Sequence, residues 1–120
     1  MRFVVPPMID VTASAIHSAL SGLAARQRVI ADNVANVETP GFTAGRVDFE
    51  DSLRAALAAG DPGRATVSSR RSAEPADLSG NNVKLDDEIV DLNETGLRYQ
   101  LMVNAMNTKF QLLRSAIGTR

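Results

Sequence analysis

The chain has no cysteine and no tryptophan. Without cysteine there are no disulfide staples and no thiolate metal sites, and the fold tolerates either redox compartment. Aromatic side chains are 4% of the sequence. Phe3, Phe42, Phe49, Tyr99 and Phe110 are the whole set, and they supply little core. No charge dominates: 13 Lys and Arg stand against 14 Asp and Glu, a net charge of −1. That balance argues against a nucleic-acid binder held by phosphate neutralisation. No apolar run is long enough to span a bilayer. Met1 to Ile9, broken by Pro6 and Pro7 and charged only at Arg2, lacks an apolar run of signal-peptide length. Cytoplasmic residence is the default expectation, except for proteins that leave through a dedicated export machine.

Reactive groups are equally sparse. His17 is the lone histidine, and a single helical histidine is far more often a surface residue than a base or ligand. The serines have no evident His and Asp partner set, and there is no glycine-rich phosphate loop. Asp86, Asp87, Glu88, Asp91 and Glu94 lack the glycine-bearing loop of a calcium hand, so they read as acids suited to the positive end of a helix dipole. Arg26 and Arg28, with Arg70 and Arg71, read as solvated faces rather than a basic patch. The chain is therefore not expected to be an enzyme, and no cofactor, metal, nucleic acid or small-molecule substrate is expected.

What the sequence does have is two apolar seams. Ile9, Ala13, Ile16, Leu20, Leu23, Gln27, Ile30, Val34 and Val37 form the first. The second runs Leu85, Ile89, Leu92, Gly96, Tyr99, Val103, Met106, Phe110, Leu113 and Ile117. Alternating steps of four and three, a mean period of about 3.5, mark helices that pack lengthwise. At a rise of about 1.5 Å per residue, the seams span roughly 42 and 48 Å. A lone hairpin of two such helices has little interior, so part of each seam is left for another chain to cover. The expected fold is mainly α. Long N- and C-terminal helices pair in coiled-coil fashion across a partly disordered middle segment.

Residues 1–8 read as an irregular leader, with Asp10 or Thr12 capping the first helix. Ser21-Gly22 weakens that helix by about 1 kcal/mol relative to alanine, or admits a close neighbouring backbone. Thr39-Pro40-Gly41 stops it in a type II turn, and Phe42 is expected to fold back onto its end. In residues 43–82, Asp48 to Ala59 reads as a short amphipathic helix with Phe49, Leu53 and Leu57 on one face, ended by Gly60-Asp61-Pro62-Gly63. Thr66 and Val67 are the strand-like residues of the stretch after it. Ser72 to Asn82 reads as a flexible loop. Gly96 and Gln27, misfits at seam positions, can set register or partner choice. Asn33 and Asn36, three apart on one helix face before the turn, can bond the turn backbone or a neighbouring chain.

The stretch Ser21-Gly22-Leu23, followed by Asp32-Asn33-Val34-Ala35-Asn36-Val37-Glu38-Thr39-Pro40-Gly41-Phe42, resembles the N-terminal signature of bacterial flagellar rod, hook and related axial proteins. In those, an Ala-Asn-x-x-Thr-Pro-Gly segment precedes Tyr or Phe. Val83 to Ile89, Leu97-Arg98-Tyr99-Gln100, Asn107-Thr108-Lys109-Phe110 and Leu113 to Ile117 are similar to the proximal rod proteins of the FlgB type. Glu38 stands where Asp or Asn is common, and Phe42 where Tyr is common.

The resemblance covers residues 9–60 and 80–118. It implies an inner rod domain made of two halves, residues 1–42 and 83–120, around the middle segment 43–82. Its helices would bundle with neighbouring subunits into a hollow periplasmic drive shaft for motility. Subunits would be exported by the flagellar type III gate without a cleaved signal. The implied partners are other rod proteins, the rod-base export-gate adaptor, the gate and further copies of the chain. On this reading Ile16, Leu20, Leu23, Ile30, Val34, Leu92, Tyr99, Val103, Met106, Phe110, Leu113 and Ile117 form the assembly interface. Asn33, Asn36, Thr39, Pro40, Gly41 and Phe42 form the motif turn. The rival reading is a cytoplasmic helical adaptor or regulator that binds one partner helix through the same seams.

Overall fold

The computed structural model describes residues 7–118, with side chains from Val11 onward. Two long helices carry the fold: α1, Pro7–Ala35, and α3, Leu85–Gly118. Between them lie strand β1 (Gly45–Asp48), helix α2 (Glu50–Ala58), a 3-10 turn (Pro62–Arg64) and strand β2 (Ser68–Arg71). The long helices are antiparallel, since Asn33 near the end of α1 meets Glu88 in the first turn of α3. Further along, the two seam misfits face one another, Gln27 lying against Gly96. The molecule is elongated, 67 × 26 × 19 Å, with a radius of gyration of 18.6 Å. A compact domain of this length would have a radius of roughly 14 Å.

α1 starts earlier than the sequence suggested. Pro7 is helical, because proline at the first helical position forfeits only an amide that has no helical partner. Pro7 and Met8 therefore belong to the helix, and the rest of the expected leader, with the Phe3 it contains, lies outside the described residues. Asp10 and Thr12 sit inside α1 and are not its caps. At its other end α1 loosens after Ala35, with Asn36 N–H bonding both Asp32 O (3.2 Å) and Asn33 O (3.1 Å).

The middle segment is more structured than a flexible loop. α2 matches the expected amphipathic helix to within two residues at its start and one at its end. Gly60, at φ +77°, closes it. β1 and β2 pair antiparallel, Gly45 opposite Arg71 and Asp48 opposite Ser68. The strand thus forms just after Thr66 and Val67, from polar residues. Long-range partners compensate for weak propensity: Arg70 Nε meets Asp48 Oδ2 at 2.8 Å and Arg71 donates to Thr43 O at 2.8 Å.

The core lies where this hairpin meets both long helices. Leu23, Val47 and Phe49 are buried, packed by Val29, Leu53, Tyr99 and Met102. Gly22 is required there, because a Cβ would overlap the Phe49 ring. The close approach expected at this glycine is therefore made by a side chain, not by a backbone.

Candidate functional site

The motif turn is built from its own side chains. Phe42 N–H bonds Thr39 O at 3.2 Å, and Gly41 has φ +75°, the left-handed value a type II turn requires at its third residue. Asn36 Nδ2 donates to Asp32 O at 2.8 Å, while Thr39 Oγ1 donates to Asn36 Oδ1 at 3.1 Å. Phe42 lies under the Arg71 guanidinium, 5.3 Å from ring centroid to Cζ.

Two asparagines that sequence reasoning did not single out clamp this turn. Asn81 Nδ2 donates to Asn36 O (2.9 Å) and Thr39 O (2.8 Å). Asn82 Oδ1 accepts the Ala44 amide at 2.7 Å, and its Nδ2 reaches Ser72 O and Glu74 O. Both asparagines are buried. They fix the segment 72–82 that was expected to be a flexible loop. Within it Asp77 Oδ1 accepts from Ser79 Oγ and from the Ser79 and Asn81 amides. Those bonds, led by the Ser79 hydroxyl, hold the Asp77 carboxyl below the usual carboxylate range. The only sequence signal was the Gly80-Asn81-Asn82 run itself, whose partners in and beside the turn, Asn36, Thr39 and Ala44, lie 38 to 45 residues away.

Asn33 and Glu88 are the largest fully buried side chains among the described residues. Asn33 Oδ1 accepts the Gly45 amide at 2.8 Å. Its Nδ2 donates to Gly45 O at 3.0 Å and to Glu88 Oε1 at 2.7 Å. The other Glu88 oxygen pairs with Arg46 at 3.0 Å. One carboxylate thus joins α1, β1 and α3. Its role is a buried structural tie rather than only the dipole complement expected for the acidic cluster.

A second tie lies nearer the core. Arg26 grips Glu50 through two guanidinium nitrogens (2.5 and 2.7 Å), donates to Val47 O at 2.7 Å and covers the Phe49 ring at 4.8 Å. The bonded guanidinium lowers the Glu50 pKa to about 2, and the carboxylate in turn raises that of Arg26. Arg26, Arg70 and Arg71 are each engaged within the fold, so no basic patch forms from them.

The predicted seam residues divide into two groups. Ile16, Leu23 and Ile30 are buried, and Leu20, Val34, Tyr99, Val103, Met106 and Leu113 are half-buried. These line the α1–α3 contact or its edge. Leu92, Phe110 and Ile117 are exposed, and six further α3 side chains join them: Leu85, Ile89, Val90, Leu97, Leu101 and Leu112. Among the described residues α1 exposes no large apolar side chain. Helical spacing distributes the α3 set over two strips. Leu85, Ile89, Leu92 and Phe110 flank the α1 contact, whereas Val90, Leu97, Leu101 and Leu112 lie on the side away from it.

Nothing among the described residues assembles into reactive chemistry. His17 is exposed, no three His, Asp or Glu side chains are grouped to hold a metal ion, and no described helix is long and apolar enough to cross a membrane. The arrangement offers apolar surface on a rigid helix pair.

Comparison with known proteins adds a family. The family described as flagella basal body rod protein matches residues 16–43. The chain is also similar to proteins named flagellar basal body rod protein FlgB. With the one from Bacillus subtilis (strain 168) it shares 31% identity over 115 residues, covering 85% of this chain and 89% of the relative. With that of Borreliella burgdorferi it is 28% identical, covering 79% and 87%. With that of Escherichia coli (strain K12) it is 28% identical, covering 76% and 81%.

Proposed function

Because the chain belongs to the flagellar basal body rod proteins, of the FlgB type, we propose that it builds the proximal part of the rod. It is a structural subunit without catalytic activity. It leaves the cytoplasm through the flagellar type III system without a cleaved signal, and its helices bundle with neighbouring subunits into a hollow shaft. Its partners are other rod proteins, the adaptor at the rod base, the export gate and further copies of itself.

One observation carries this reading: α3 exposes nine large apolar side chains while α1 exposes none among the described residues. A helix that exposes large apolar side chains on more than one side, among polar ones, calls for more than one neighbour. α1 covers one side of α3, so neighbouring chains cover the rest. The assembly surface is then Leu92, Phe110 and Ile117 from the seam together with Leu97, Leu101 and their neighbours. Tyr99, Met106 and the α1 residues act from behind by holding α3 in place. Asn33, Asn36 and the Thr39-Pro40-Gly41-Phe42 turn shape the hairpin that braces it.

The test is electron microscopy of basal bodies from a strain lacking this chain. Rings without a rod are expected, restored by the intact gene but not by a Leu97→Asp, Leu101→Asp variant produced at the same level. Complete rods in the deletion strain would overturn the proposal and favour a cytoplasmic adaptor.

A further inference from the structure

The apolar seams do not by themselves choose how α1 and α3 align. Asn33 faces Glu88, Gln27 faces Gly96, and Tyr99 and Met102 pack against the cluster around Leu23. Each pairing joins residues whose numbers sum to between 121 and 125. Sliding α3 by one heptad would put Met106 where Tyr99 now meets the cluster around Leu23, and Tyr99 one heptad further along α1, at the level of Ile30. Apolar groups would still meet apolar groups, because both seams repeat with the same period. Such a slip moves one helix past the other by about 10 Å.

The polar groups do not share that tolerance. In the slipped alignment Thr95 would replace Glu88 opposite Asn33, and Val103 would replace Gly96 opposite Gln27. Glu88 would leave both of its partners, Asn33 Nδ2 and Arg46, and Arg46 would lose its carboxylate. The observed alignment satisfies every one of these groups, and no buried side-chain nitrogen or oxygen among the described residues lacks a partner. Arg46 and Gly45 belong to β1, so the tie also refers α3 to the hairpin, which is itself fixed to α1 through Arg26.

We propose that Asn33, Arg46 and Glu88 form a register lock, a buried polar tie whose function is to select one longitudinal alignment of α1 and α3 from two that the apolar seams accept. Buried polar groups that cost stability but fix register are well attested in paired helices. The lock is a property of the single chain and does not depend on the assembly proposed above.

The absence of cysteine makes a direct test available. Spin labels on cysteines introduced at Arg28 and Gln111, both exposed, report the alignment as one distance, measured by pulsed electron paramagnetic resonance on the full chain. The labelled protein is expected to give a single distance. In an Asn33→Leu, Glu88→Leu background a second population is expected, shifted by about 10 Å, with helix content retained and a lower melting temperature, because the Gly45 amide and carbonyl and the Arg46 guanidinium lose their partners. A tie that serves only stability predicts one distance kept in the folded variant whatever its melting temperature, and that result would overturn the proposal. Glu88→Gln guards against loss of folding in the double variant. It keeps the shape of the carboxylate but has one acceptor oxygen for two donors, so it can hold Asn33 only by giving up the Arg46 bond, and a minor population at the slipped distance is expected. One unaltered distance in Glu88→Gln, combined with unfolding of the leucine variant, would also sink the lock.

Discussion

Arg26 shows what a single residue does in a chain with so small an interior. Its stem lies along α1, its head bridges to α2 and to the end of β1, and its planar face covers Phe49. Replacing it would uncover a ring and leave Glu50 without its main partner. The pH dependence follows. Glu50 has a folded pKa of about 2 against 4.5 in the unfolded chain, so the ion pair's stabilisation is full above about pH 4.5 and is lost as pH falls toward 2. The Glu50 side chain is 41% exposed, and solvent screening reduces this contribution to about 1 kcal/mol. Urea unfolding of the intact chain is expected to weaken by that amount between pH 5 and pH 2.5 relative to Glu50→Gln. Equal slopes for the two proteins would refute the assignment. Sequence alone gave no access to this residue, since an arginine on a helix reads as solvated until its partner, twenty-four positions away, is placed beside it. Glu88 was obscured for the same reason, lying in a row of acids whose other members suit the helix dipole.

Elements were legible where their causes are local. The Thr39-Pro40-Gly41 turn, α2 and the two long helices follow from proline geometry, a left-handed glycine and apolar periodicity. β2 and the segment 72–82 were not legible, because their causes are distant. Ser68–Arg71 is a strand by virtue of β1, and residues 72–82 are ordered by Asn81 and Asn82 reaching backbone groups on other elements. Asn82→Ala would leave the Ala44 amide, which is fully buried, without an acceptor. A loss of about 1–3 kcal/mol is expected. In hydrogen exchange, protection should fall at Ala44 and Ser72 while amides in the middle of α1 keep theirs relative to global stability. A uniform loss along the chain would mean that the hairpin and the helix pair open as one unit.

For the whole molecule the decisive property is asymmetry. The thinnest dimension, 19 Å, is about two helix diameters, so one partner covers only one side of either long helix. α1 is finished by the hairpin, α2 and α3, and presents a polar outer side. α3 presents apolar strips on its flank and on the side away from α1. Periodicity placed Ile16, Leu23 and Ile30 of α1 on a buried face but not Asn33, the most buried side chain of that helix, and for α3 it identified one of two strips that carry exposed apolar side chains. Isolated chains should therefore associate reversibly, and sulfate should strengthen rather than weaken that association, because burial of apolar surface is favoured by excluded salts whereas ionic contacts are screened by them. Sedimentation velocity across protein and sulfate concentrations measures this, and dissociation on adding salt would point to charge instead.

The antiparallel pairing also has a mechanical consequence. The start of α1 and the finish of α3 lie at the same end of the molecule, with the hairpin elements and their clamped turn toward the other. Pulled apart at that shared end, the pair peels open contact by contact and yields at low force. Loaded in shear, with one helix pushed along the other, the seam and its polar ties bear together. Such a part is weak as a tether and stiff as a strut.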